Sequence, residues 1–230
     1  MTRAVYDPRQ WLPVDAPLTN SPGNRSPELL RAVAAQFDVT RNDRFKVQVV
    51  TNPVTKKRTV LTWCNIFLAD VLLALKTGPW LHWIETKRKL YDGTVDESHA
   101  GDPTPLPDKS AAYEPSAPRV ITVELDANDM VAWFTLHGSR FGWTATDRDL
   151  AGAAAARGMP VAVVWGNVTP GPLTTCPLSM DRKAGPGHVA LLLPPVGAQL
   201  RIVQAGGQNL FDSALEAGFG RLPVKFYQHA

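Results

Sequence analysis

Apolar residues recur at helical spacing in the first third of the chain and gather into short strand-like runs in the last third. Leu29, Leu30, Val33 and Phe37 form one helical face. Ser26-Pro27-Glu28, just ahead of them, offers a capping hydroxyl followed by a proline at the first helical position. Phe45, Val47 and Val49 alternate with polar neighbours, which predicts a strand over 45–50, and Thr51 to Lys57 reads as a turn or hairpin tip. The strongest helix runs from Thr62 to about Lys76 and stops at Thr77-Gly78-Pro79, with Thr62 as its N-cap. Its stripe of Cys64, Phe67, Leu68, Val71, Leu72 and Leu75 buries one side. Asp126 is placed to cap a helix over 127–137, ended by Gly138, and Asp147 or Asp149 opens a short helix through the alanine run at 150–157. Strands are predicted at 160–165, 188–193, 200–204 and 224–228. Helices first and short strands afterwards make an α+β chain with an antiparallel sheet of about five strands.

Residues 1–25, rich in Pro, Asn and Ser, read as an extended N-terminal arm, and 26–230 as a single domain. Between Trp80 and Arg119 the periodicity fades, and five prolines crowd the stretch from Pro103 to Pro118. A proline-rich insertion at about 93–118 is therefore expected, and long connections of this kind tend to be functional or mobile.

Composition narrows the functional classes. The 230 residues carry 24 Lys plus Arg against 21 Asp plus Glu, a net charge of +3. That mild excess excludes the dense basic face of a dedicated nucleic-acid binder, yet favours approach to an anionic surface such as a cell wall. No apolar run reaches the roughly 18–20 residues of a membrane helix, so no membrane insertion is expected. No apolar core follows the charge at the N-terminus, so no secretory signal is visible. Cys64 and Cys176 are the only cysteines, which allows one bridge at most. There is no CxxC, no HExxH and no phosphate-binding glycine motif, and the five histidines show no ligand spacing. Neither a metal nor a cofactor is expected.

Cys64 is the first candidate for chemistry. In the first turn of a helix, the unpartnered backbone N–H groups and the positive dipole end favour thiolate, the nucleophilic form. His188 follows Gly185-Pro186-Gly187 and opens an apolar strand, a rigid mount for an imidazole that takes the thiol proton and returns it to a leaving amine. On a hairpin that sets Leu192 opposite Leu200, Gln204 falls opposite His188. It shares a face with Leu200 and Ile202, so its amide needs a polar partner, and the second imidazole nitrogen supplies one. Asn209 and Asp212 are the alternatives for this third place. The backbone N–H of Cys64 is the expected oxyanion donor, and Asn65 adjoins the nucleophile. Trp80, His82 and Trp83 are placed to border a groove, with Trp83 the substrate-binding candidate. Asp70 is expected to be solvated or paired with an arginine, and Cys176 to be incidental.

Thr62-Trp63-Cys64-Asn65-Ile66-Phe67-Leu68-Ala69-Asp70 resembles the nucleophile helix of the papain-like peptidoglycan hydrolases of the NlpC and CHAP types. Pro186-Gly187-His188-Val189-Ala190 resembles their histidine strand. With Gln204-Ala-Gly and a final Gly218-Phe219-Gly220-x-x-Pro223-Val224, the chain is similar to phage lysins and bacterial amidase toxins. The resemblance implies a papain-like fold, with a nucleophile helix packed on an antiparallel sheet and a polar residue on the strand after the histidine. It also implies a cysteine amidase or endopeptidase that cuts stem peptides of peptidoglycan: Cys64 attacks, His188 is base then acid, and Gln204 orients it. Such an enzyme, made in the bacterial cytoplasm without a signal peptide, would reach a periplasm or cell wall by a dedicated secretion system or by lysis. A cognate immunity protein or a secretion-machine component is then an expected partner, and nucleic acid is not. Two rival readings keep the scaffold: a cysteine protease, deamidase or acyltransferase acting on a protein, and a binding module without catalysis.

Overall fold

A computed structural model describes residues 13–77, 84–85, 122–123, 127–136, 138–167 and 186–230. The proline-rich insertion, Trp80, His82, Trp83, Asp126 and Cys176 lie outside the described residues.

The chain is α+β. Helix α1 (Pro27–Gln36) starts as its sequence predicts, with Pro27 in the first turn and the Ser26 hydroxyl accepting from the Leu29 N–H at 3.1 Å. The hairpin of β1 (Gln48–Thr51) and β2 (Arg58–Leu61) follows, pairing Val49 with Val60 and Thr51 with Arg58. The strand therefore begins later than the alternation from Phe45 suggests. Phe45 sits in a 3-10 turn and drives its ring into the core, edge-on to Phe67 at 5.4 Å between centroids. Its burial, rather than strand pairing, is what the apolar residue at 45 records.

Next comes α2 (Cys64–Ala74), and then a two-residue pair of strands, β3 (Ile84–Glu85) with β4 (Thr122–Val123). Helix α3 (Ala127–Leu136) and strand β5 (Trp143–Thr146) precede α4 (Arg148–Ala156), whose N-cap Asp147 accepts from the Leu150 N–H at 2.8 Å. The remaining elements are β6 (Val161–Trp165), β7 (His188–Val196), β8 (Gln199–Gln204), β9 (Leu210–Ala214), α5 (Leu215–Phe219) and β10 (Lys225–His229).

Six strands form one antiparallel sheet in the order β5-β10-β6-β7-β8-β9. Four of the five expected strands enter this sheet; the fifth, expected at 45–50, pairs instead in the separate β1–β2 hairpin, and β5 and β9, whose sequences lack clean alternation, bring the sheet to six. Consecutive residues Val161–Val164 and Val189–Leu193 are all buried, so both faces at the middle of the sheet are covered. Helices α1, α2 and α4 all pack against β7, and α3 packs against β6.

Helix α2 departs from the one-sided stripe read in the sequence. From Ile66 to Ala74 every residue is buried, Asp70 included, so the helix is a central rod rather than a surface one. Asp70 is fully buried and takes a two-pronged ion pair from Arg44, Nε to Oδ2 at 2.8 Å and an Nη to Oδ1 at 3.2 Å. A carboxylate in this position is tolerated because the guanidinium comes with it. The N-terminal stretch is docked where it is described: Ala16 and Asn20 are buried, and the Asn20 amide donates to the Gly158 carbonyl at 2.7 Å.

Candidate active site

Cys64 stands at the head of α2, as its first helical residue, and is 3% exposed. Thr62 is not the cap. Trp63 occupies the N-cap position without a side-chain capping bond; its carbonyl accepts from the Phe67 N–H at 2.9 Å. The Trp63 indole N–H donates to the Lys46 carbonyl at 2.8 Å, tying the entry of the helix to the base of the β1–β2 hairpin. The cap is set by this tertiary anchor rather than by hydroxyl chemistry, which is why a Thr-based reading misses it by one residue. Helix α2, which carries Cys64, packs against β7, the strand that His188 begins.

His188 and Gln204 meet directly. Nε2 of His188 lies 2.7 Å from Oε1 of Gln204, and Gln204 is 3% exposed. The amide has one sensible orientation, because its Nε2 donates to the Gln208 carbonyl at 3.2 Å and so turns Oε1 towards the imidazole. An accepting oxygen at Nε2 requires the proton there, which leaves Nδ1 of His188 with the lone pair. The ring also rests on Phe219, with centroids 4.7 Å apart and planes inclined at 50°.

Two glycines make room for the pair. A Cβ on Gly206 would come within 3.0 Å of the His188 ring and 3.1 Å of the Gln204 amide. A Cβ on Gly218 would fall on Gln204 Oε1 and 2.5 Å from Ile202 Cδ1. Ahead of the histidine, Gly187 packs as closely on Asn128 of α3, whose Oδ1 accepts from the Asn167 N–H at 2.9 Å.

The register that brings the pair together is not the predicted one. Leu191 pairs with Val203 and Leu192 with Ile202, so the same register carried on sets Gly206, not Gln204, across from His188. Strand β7 runs through Pro194 and Pro195 with an irregularity between Leu193 and Val196, and only Gly197 and Ala198 turn the hairpin. The correction is a shift of two residues. Because side chains alternate with a period of two, such a shift keeps Gln204 on the face of His188 and makes it the diagonal neighbour, within reach of a long side chain.

Asn209 and Asp212, the alternatives to Gln204, are engaged elsewhere. The Asn209 amide donates to the carbonyls of Val39 and Phe45, both at 2.9 Å. Asp212, with a left-handed backbone, joins Arg31 of α1 at 2.5 Å and Arg201 of β8 at 3.1 Å. The Arg31 hydrogen bond is the main reason its carboxyl is held below the usual carboxylate range.

Burial pushes the His188 imidazole below its ordinary value, and the hydrogen bond to Gln204 offsets part of that push. The ring is therefore neutral at neutral pH, with its basic nitrogen fixed by an uncharged partner. A group in that state accepts a proton from an acid and then donates it. Asn65, second in α2, is half-buried; Trp83 lies outside the described residues. Among the described residues no cluster of three or more His, Cys, Asp or Glu side chains is arranged to hold a metal ion, and no helix is long and apolar enough to cross a membrane.

Gln208, Gly218 and Phe219 are the parts of the site that sequence reasoning missed. Gly218-Phe219 was legible only as part of a resembling triplet; its contact with the histidine comes from the return of β9 through α5 against β8. No protein-family model, curated protein or solved structure matches the chain.

Proposed function

We propose that this chain is a cysteine-dependent hydrolase with a papain-like arrangement, cutting amide bonds in the stem peptides of bacterial peptidoglycan. The observation that carries the reading is the half-buried His188–Gln204 pair, which sets the proton on Nε2 and leaves the lone pair on Nδ1. Cys64 attacks the scissile carbonyl carbon while His188 Nδ1 takes its thiol proton. The tetrahedral adduct collapses, the C–N bond breaks, and His188 passes that proton to the leaving amine. Water, deprotonated by the same nitrogen, then releases the acyl group as a carboxylic acid and restores the thiol. Gln204 orients the ring throughout and, being neutral, adds no charge to it.

The placement of Cys64 at the start of a helix that packs on the histidine strand supports the nucleophile assignment, as does the resemblance of the segments around Cys64 and His188 to the NlpC and CHAP hydrolases. Incubating purified peptidoglycan with the protein and with its Cys64→Ala and His188→Ala variants, and reading the soluble fragments by mass spectrometry, tests the reading. New stem-peptide ends are expected with the wild type alone. An undigested wall alongside cleavage of a protein would move the substrate to the protein-acting class.

A further inference from the structure

Beyond its base, the β1–β2 hairpin stands apart from the other described elements. Among the described elements, β1 and β2 pack extensively only on each other. Val49 and Val60, paired across the ribbon, are 49% and 58% exposed, and Val54 at the tip is 85% exposed. A two-stranded ribbon with no packed face is marginal by itself, and paired exposed valines are an unusual choice for its surface.

The charge is as one-sided as the burial. No acidic residue lies between Asp43 and Asp70, whereas Lys56, Lys57 and Arg58 follow one another at the tip. All three are exposed, and none has a carboxylate partner among the described residues. Arg58 lies beside the valine pair, on the ribbon face that also carries Val49, Thr51 and Val60.

The tip is held in one shape. Oδ1 of Asn52 accepts from the N–H groups of Val54 and Thr55, both at 2.9 Å, and the Asn52 backbone pairs with Lys56 and Lys57. Lys56 sits at φ 58°, a left-handed position that suits glycine. Local strain is kept there with a cation mounted on it. β2 ends at Leu61, and the three steps from there to Cys64 span at most about 11 Å.

We propose that this hairpin is a recognition arm for a carboxylate-bearing peptide, which it presents to the Cys64 site. The cations meet the carboxylates, the valines meet small apolar side chains between them, and the Asn52 turn holds the tip ready so that little ordering accompanies binding. The inference rests on the proposed hydrolase reading for the identity of the site that the arm serves; the binding itself does not depend on turnover.

The test uses the full chain carrying Cys64→Ala and a fluorescein-labelled Ala/Glu peptide with three free carboxylates, read by anisotropy against the same peptide fully amidated. The acidic peptide is expected to bind roughly 10-fold more tightly than the amidated one, since exposed ion pairs contribute a few-fold each. Replacing Lys56, Lys57 and Arg58 together with Gln should remove that preference, and raising salt should weaken acidic-peptide binding only where the arm is intact. Lys56→Gly should weaken acidic-peptide binding while leaving Tm equal or higher, which separates recognition from folding. Equal binding of the two peptides, or unchanged affinity in the triple Gln variant, overturns the arm. So does arm-dependent binding to phosphatidylglycerol vesicles with none to the peptide. Arm-dependent peptide binding without any wall cleavage by the wild type leaves the arm standing and sinks the wall-hydrolase reading. Wall cleavage whose KM is unchanged in the triple Gln variant does the reverse.

Discussion

Gly218→Ala puts the His188–Gln204 pair under a direct mechanical test. In most helices this substitution stabilises by about 0.5–1 kcal/mol, because alanine has less backbone freedom to lose. In α5 the new methyl would meet Gln204 Oε1, the atom that accepts from His188, and would stand 2.5 Å from Ile202 Cδ1 and 3.0 Å from Gln204 Cδ. Neither neighbour has room to retreat, since Gln204 is 3% exposed and Ile202 fully buried. Overpacking of this kind costs about 1–3 kcal/mol, and a displaced amide forfeits a half-buried hydrogen bond worth about 0.5–1.5 kcal/mol more. Set against the usual helical gain, a net loss of about 2 kcal/mol is expected. For a chain of this length that lowers Tm by about 4–8 °C. The same displacement takes the Gln204 acceptor away from His188 Nε2–H, so the ¹H and ¹⁵N shifts of that group should lose their hydrogen-bonded values, and the turnover of the proposed wall hydrolysis should fall about 10-fold to 100-fold with little change in KM. A Gly218→Ala protein with a raised Tm, an unaltered His188 spectrum and wild-type turnover would refute the packing argument and the role given to Gln204 together.

Four further outcomes are expected. Gln204→Ala should leave the protein folded yet slow turnover about 10-fold to 100-fold, whereas Asp212→Ala should lower Tm by freeing Arg31 and Arg201 and leave turnover near wild type; the opposite pattern, read by steady-state kinetics, would hand the third place to Asp212. Arg44→Ala removes the guanidinium from the fully buried Asp70 carboxylate and should cost about 3 kcal/mol in denaturant unfolding; a loss below about 1 kcal/mol would show that the ion pair is not what holds Asp70 there. Burial lowers both His188 and His229, the latter also through the Arg25 charge, so the unfolded chain takes up protons at the ordinary histidine value while the folded chain resists. Stability should therefore fall as pH drops through about 6.5, and the fall should be shallower in His229→Gln; a Tm that holds constant from about pH 7.5 to about pH 5.5 would contradict this. Iodoacetamide should label Cys64 at neutral pH at least about 10-fold more slowly in His188→Ala, by mass spectrometry, because the imidazole no longer takes the thiol proton; equal rates would separate the two residues.

What the sequence reveals follows where the physical signal is local. Ser26-Pro27 announces a helix start because capping is decided within three residues, and the cap forms as read; of Asp147 and Asp149, the structure makes Asp147 the cap of α4. The β6 and β7 cores are legible because strands covered on both faces must be continuously apolar. The hairpin register is not local. It depends on whether Pro194 and Pro195 form the turn or continue the strand, and the choice is made by pairing against β6 and β8. Gln204 survives that error only because the shift is even. Asp70 and the full burial of α2 are likewise tertiary facts: nothing in the helix itself states that Arg44, far back in the chain, will fold over onto it. Phe219 and Gly218 become part of the site through the return of the chain from β9 by way of α5 onto β8, which no local pattern states.

The central claim, that Cys64 hydrolyses an amide in the cell wall, is tested most directly by digesting purified peptidoglycan in H₂¹⁸O with the wild type and with Cys64→Ala, and weighing the fragments. Hydrolysis places one ¹⁸O in each newly formed carboxyl group and leaves a free amine on the other fragment. Such labelled ends are expected with the wild type and absent with Cys64→Ala. Labelled ends produced equally by both proteins, or by neither, would contradict the account.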